Sequence, residues 1–73
     1  MKKSKARIML ESLASNQIIR NKKEKGFYIE YDGCGYVIYR NGEIIAIDDR
    51  IEFAETIVKH HDTRNWEVED VQG

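Results

Sequence analysis

The groups that most often carry nucleophilic or metal chemistry are few in this sequence: one cysteine, Cys34, and two histidines, His60 and His61. Cys34 lies in Asp32-Gly33-Cys34-Gly35, where the glycines predict an exposed turn whose backbone amides could lower the thiol pKa. A thiol nucleophile also needs a base within hydrogen-bond reach, and only the two histidines at the end of a predicted helix are available. A tolerated turn cysteine is the simpler reading. His60-His61-Asp62 has the residue types of a metal site, but helix neighbours point about 100° apart and do not easily share one ion. No CxxC or HExxH spacing accompanies them. A helix-end role, with His61 packed against a sheet, suits them better.

"DGCG" is too short for a phosphate loop and has neither its lysine nor its following helix. Paired carboxylates occur in the C-terminal half without a pocket-forming context. So short a chain has little room for a ligand cavity of about 300 Å³. The expectation is a non-enzymatic protein with no cofactor and no metal.

Seventy-three residues make one small domain, and 41% hydrophobic with 34% charged residues and no proline describe a globular chain. No run of about 18 apolar residues is present, so no membrane contact is expected. The start "MKKSKARIMLESLAS" is basic, but Glu11 interrupts its apolar part and no cleavage site follows. With a single cysteine, a cytoplasmic location is expected. Charge is split along the chain. Residues 1–25 hold eight Lys or Arg against two acids, a charge of +6, while the other 48 hold four against eleven, a charge of −7. Such a basic arm meets an anion, or docks on the acidic half of its own chain or of a neighbour.

From Ser4 to Ala14, apolar Ala6, Met9, Leu10, Leu13 and Ala14 recur at helical spacing, with Ser4 as a cap. Ile18 and Ile19 continue the stripe, and Gly26 suits a helix end after Lys22, Lys23 and Lys25, which favours one basic helix over 1–25. The alternative ends the helix at Ser15-Asn16 and leaves "QIIRN" as a short strand. "FYIEY" (27–31) reads as a strand. Asn41-Gly42 between apolar runs predicts a type I′ hairpin. A two-residue loop pairs Arg40 with Glu43, Tyr39 with Ile44, Ile38 with Ile45, Val37 with Ala46 and Tyr36 with Ile47. "DDRIEFAETIVKHH" (48–61) reads as a helix over 49–61 with Asp49 and Glu52 in a capping box and with Ile51, Ala54, Ile57 and Val58 buried. Residues 62–73 form a tail in which Trp66 and Val68 allow a short last strand.

The order α-β-β-β-α, with that possible strand, predicts a two-layer α+β domain built on a three-stranded antiparallel meander. Helices that cover Tyr36, Ile38, Ile45 and Ile47 leave Val37, Tyr39, Ile44 and Ala46 open, with Tyr28 as a neighbour. An exposed apolar patch of that kind marks a protein-binding surface, and a homodimer would let the +6 arm of one copy meet the −7 body of another. The competing expectation is nucleic-acid binding, with Arg20, Lys22, Lys23 and Lys25 on phosphates and Tyr31 among the stacking aromatics. Against it stand the acidic sheet region and the lack of RNP or GxxG motifs.

Residues 36–61, the hairpin "YVIYRNGEIIAI" followed by "DDRIEFAETIVKHH", resemble a β-β-α pattern common among short phage and prophage proteins. The matching positions are Ala46, Ile47 and Asp48 at the strand end and Ala54 in the helix. The resemblance spans about a third of the chain. It implies a small intracellular accessory protein that binds, and inhibits or redirects, a host or defence protein.

Overall fold

Ile18 and Ile19 are adjacent, and both are buried. Successive residues of a strand point to opposite faces, so this pair is buried in a strand only when neighbours flank it on both sides. That is its setting in the computed structural model, which describes residues 2–71. Met1, Gln72 and Gly73, the outermost positions of the predicted arm and tail, lie outside the described residues. The order is α1 (Lys5–Glu11), β1 (Gln17–Asn21), β2 (Phe27–Tyr31), β3 (Tyr36–Arg40), β4 (Glu43–Asp48), α2 (Ile51–His60), a 3-10 turn (Thr63–Asn65) and β5 (Trp66–Asp70). The strands form one antiparallel sheet in the order β4-β3-β2-β1-β5.

The fold is therefore the predicted two-layer α+β domain, with the C-terminal strand present and one strand more than the meander. The long basic helix is corrected: α1 stops at Glu11, and "QIIRN" is β1 between β2 and β5. Local chemistry closes the connection. The Ser12 hydroxyl donates to the Met9 carbonyl, and the Ala14 amide donates to Gln17 Oε1. After β1, the buried Asn21 side chain accepts from the amides of Lys23 and Glu24, turning Lys22–Gly26 into a loop.

One face of the sheet carries the core. Ile19, Phe27, Ile29, Tyr36, Ile38 and Trp66 pack there against Ala6, Leu10 and Leu13 from the N-terminal segment and Ala54 and Val58 of α2. Ser4 caps α1 as predicted, accepting from the Arg7 amide, and its hydroxyl donates to Glu55 of α2. Arg7 bridges the same Glu55 at 2.8 Å and Glu52 at 3.5 Å. The predicted capping box is corrected. Arg50 is the residue before α2 and makes no side-chain cap; Asp48 instead accepts from the Arg50 amide and guanidinium.

Asn41 and Gly42 have positive φ (55° and 84°), as a type I′ turn requires. Pairing starts as predicted, Arg40 with Glu43 and Tyr39 with Ile44, and then slips: Ile38 faces Ala46, Val37 faces Ile47 and Tyr36 faces Asp48. Ile45 is the extra residue of a β-bulge, and every β4 position beyond it changes face. Ala46 thus joins the core side, while Ile45 and Ile47, expected under a helix, are 52% and 65% exposed.

Candidate functional site: the open face of the sheet

Strand alternation and register put ten side chains on the face opposite the helices, in two rows that cross all five strands. One row runs Glu69, Ile18, Glu30, Val37, Ile47, and the other Glu67, Arg20, Tyr28, Tyr39, Ile44. Ile18 and Val37 are buried, at 4% and 5% exposure, yet neither belongs to the core cluster. Both sit on inner strands with a neighbouring strand on each side.

The centre of the face is ordered by its aromatics. Tyr28 and Tyr39 are directly opposite on β2 and β3 and stack at 4.7 Å with 16° between the rings. The Tyr39 hydroxyl donates to Glu30 Oε1 at 3.1 Å, and this bond, together with burial, pushes the Tyr39 pKa up. Arg20 lies 5.2 Å from the Tyr28 ring centroid, pairs with Glu69 at 3.0 Å and donates to the Lys25 carbonyl. Toward β4 the face becomes wholly apolar, with Ile44 54% and Ile47 65% exposed. Toward β5 it becomes acidic, with Glu67 exposed and Glu69 half-buried.

Four of the five predicted protein-binding residues, Tyr28, Val37, Tyr39 and Ile44, share this face. The fifth, Ala46, is turned to the core side by the bulge, and Ile47 takes its place. The other six members of the face, Ile18, Ile47, Arg20, Glu30, Glu67 and Glu69, were not among the residues the sequence pointed to for it. For Ile18 the signal was present: two adjacent isoleucines in "QIIRN" suit an inner strand with a neighbouring strand on each side.

The predicted nucleic-acid residues separate. Tyr31 lies on the helix side, tilted against Tyr36 at 5.1 Å, with its hydroxyl donating to Gly33. Arg20 is engaged by Glu69. Lys22, Lys23 and Lys25 are exposed in the β1–β2 loop, with no ion pair among the described residues. The Lys22 amide donates to the Asn65 carbonyl, which sets that loop beside the 3-10 turn.

Cys34 is exposed in the β2–β3 loop. The Cys34 and Gly35 amides both donate to Asp32 at 2.8 Å, an arrangement that holds the Asp32 carboxyl below its usual range and commits those amides to a carboxylate. His61 packs edge-on against Phe27 at 4.9 Å, the sheet contact expected of it. Phe27 starts β2 and Cys34 follows its end, so about 13 Å of strand separates the histidine from the thiol. No group of three potential metal ligands clusters among the described residues. A shallow depression of about 400 Å³ on α2, lined by Glu55, Thr56, Lys59 and His60, opens broadly to solvent. Glu55 is already engaged by Ser4 and then Arg7, which hold its carboxyl below the usual range. No helix of the described residues is long and apolar enough to cross a membrane. The chain matches no protein-family model, no curated protein and no solved structure.

Proposed function

We propose that the protein is a non-enzymatic binding protein that docks another protein on the open face of its sheet. The observation that carries this reading is the exposed Ile44 and Ile47 beside a stacked tyrosine pair, on a side that neither helix covers. Aromatic rings held by a neighbour and flanked by exposed aliphatics are the usual anchors of protein interfaces. The setting we assign is that of a cytoplasmic accessory or inhibitory protein acting on a host or defence protein, as the phage-protein resemblance implies. The basic arm does not require a second copy of the chain, since Arg7 and Arg20 find their carboxylates at Glu55, Glu52 and Glu69 of the same chain.

Affinity capture from host extract with the parent chain and with Ile47→Arg tests the reading. A partner held by the parent and lost by the folded variant supports it; equal retention by both refutes it. A second reading has its own observation, the three exposed lysines of the β1–β2 loop, which make no ion pair among the described residues. It predicts nucleic-acid affinity that falls steeply with salt, is removed by Lys22→Glu with Lys23→Glu, and is untouched by Ile47→Arg. No retention of single- or double-stranded probes at about 50 mM salt ends it.

A further inference from the structure

Resting on the lysine-loop reading, we infer that one end of the sheet is a phosphate-backbone site, which holds duplex nucleic acid through Lys22, Lys23 and Lys25 without reading its bases. Residues 21–26, 40–43 and 61–65 meet there. The Lys22 amide donates to the Asn65 carbonyl at 2.6 Å, the Asn41 amide donates to the Gly26 carbonyl at 3.0 Å, and Arg40 pairs with Glu24. The rest of the loop is fixed as well. Asn21 accepts from the Lys23 and Glu24 amides, the Phe27 amide donates to the Glu24 carbonyl, and the Lys25 carbonyl accepts from Arg20. A loop backbone held in this way needs no further ordering when a ligand arrives. It presents three exposed lysines.

Charge and composition select the occupant. The three segments hold Lys22, Lys23, Lys25, Arg40 and Arg64 against Glu24, Glu43 and Asp62. Glu24 is bound by Arg40, and Asp62 by Arg64 at 2.9 Å with Lys23 nearby, so the acids closest to the lysines are already neutralised by arginines. Glu43 lies at the hairpin tip opposite Arg40. Glu67 lies on the open face next to this end, with Glu69 further in and held by Arg20, and this acidic border repels a polyanion from that face. None of the large exposed apolar side chains belongs to the three segments. A protein partner would find no apolar or aromatic anchor there, and lysine is depleted at protein interfaces. Phosphate oxygens need only cations and neutral donors, which Asn41, Thr63 and Asn65 add beside the lysines. Base stacking has no platform. Phe27 and Trp66 are buried, His61 packs on Phe27, and Tyr28 lies between Tyr39 and Arg20. A duplex carries one charge per about 1.7 Å of axis, against about 3.4 Å for a lone strand, and keeps its bases stacked inside, so it is the polyanion that suits such a surface.

The full chain is titrated into labelled mixed-sequence duplex, into one of its strands alone, and into vesicles of phosphatidylserine and phosphatidylcholine. Three phosphate contacts predict a slope of about −2.7 for log affinity against log salt on the duplex, an about 40-fold loss between about 50 and 200 mM. Lys22→Gln and Lys25→Gln should each reduce that slope by about 0.9, and together by about 1.8. Both side chains are exposed, so both variants should keep the parent's amide spectrum. AT-rich and GC-rich duplexes should bind within about twofold of each other, and the single strand at least about threefold more weakly. Preference for the single strand, or for one base composition, overturns the inference and leaves the lysine-loop reading standing. A slope that the substitutions leave unchanged, or no retention of any nucleic acid, overturns both. Vesicle binding with the same lysine dependence and no duplex binding also overturns both, and gives the site to lipid headgroups.

Discussion

Ile38 and Ile47 lie on neighbouring strands of one hairpin, and substituting each measures how the two faces differ. Ile38 is fully buried, and Ile38→Ala should cost about 2–5 kcal/mol through lost burial and the cavity left behind. Ile47 is 65% exposed, so about a third of its surface is hidden. Complete burial of such a side chain is worth about 1.5–3 kcal/mol, so Ile47→Lys should cost about 0.5–1 kcal/mol, less whatever the lysine stem recovers by lying on Val37. In a domain of this size about 1 kcal/mol moves Tm by 4–8 °C, so Ile47→Lys should shift it by under about 8 °C and Ile38→Ala by more than about 8 °C. Trp66 is the only tryptophan and is buried, so its fluorescence follows urea unfolding directly. The titration is run at two protein concentrations about twentyfold apart, because a dimer would make the midpoint concentration-dependent. A loss for Ile47→Lys as large as that for Ile38→Ala, at both concentrations, would refute the two-layer account and require a cover over the second face.

Acid should unfold the protein through its paired carboxylates. Asp48 is lowered to about 2 by the Arg50 guanidinium and amide, and Glu24, Glu55 and Asp62 are lowered by Arg40, by Ser4 with Arg7, and by Arg64. Carboxyls depressed in the folded state add stability above their unfolded pKa of about 4, and that stability is lost as pH falls toward 2; a urea midpoint flat between pH 5 and 2 would contradict this. Ser4→Ala should cost about 1–2 kcal/mol, because one hydroxyl both caps α1 and reaches Glu55, and a helical circular-dichroism signal lost earlier in urea would register it. Gly35→Ala should destabilise by about 1–3 kcal/mol, since its Cβ would meet the Asp48 carbonyl at 2.9 Å and the Asp49 Cα at 3.1 Å, both backbone atoms. Gly42→Ala should cost about 1–2 kcal/mol for a different reason, its φ of +84° with open space around it, so only Gly35→Ala should perturb amide shifts at the β4–α2 junction.

How much of this could be read from the sequence depended on whether the deciding interaction was local. The Ser4 cap, the Asn41-Gly42 turn, strand "FYIEY" and the apolar stripe of α2 rest on short-range patterns, and they are present, with Ala54 and Val58 buried and Ile51 and Ile57 half-buried. The fate of Gln17–Asn21 rested on pairing with Trp66–Asp70, some fifty positions away, while helix propensity acted on the spot and pointed the wrong way. The bulge was hidden for another reason. Ile44, Ile45, Ala46 and Ile47 are all apolar, so their pattern fits a pairing with or without one extra residue. The open face was foreseen in its β2 and β3 members, but its last apolar position was assigned to Ala46 in place of Ile47.

The same bulge bears on how a partner can approach. β4 and β5 are the two edges of the sheet, and an unprotected edge strand pairs readily with a strand from another chain. On β4 the extra residue at Ile45 breaks the even spacing of the outward amides and carbonyls that a new strand would need. On β5 the run Glu67, Glu69 and Asp70 sets like charges along the edge, which disfavours a second acidic strand. The bulge thus opposes strand addition at β4 and the acidic run opposes it at β5 for an acidic strand, whereas the face between them carries Ile44 and Ile47, each more than half exposed. Apolar side chains left exposed on the face, beside edges that discourage pairing, favour a partner that comes down onto the sheet.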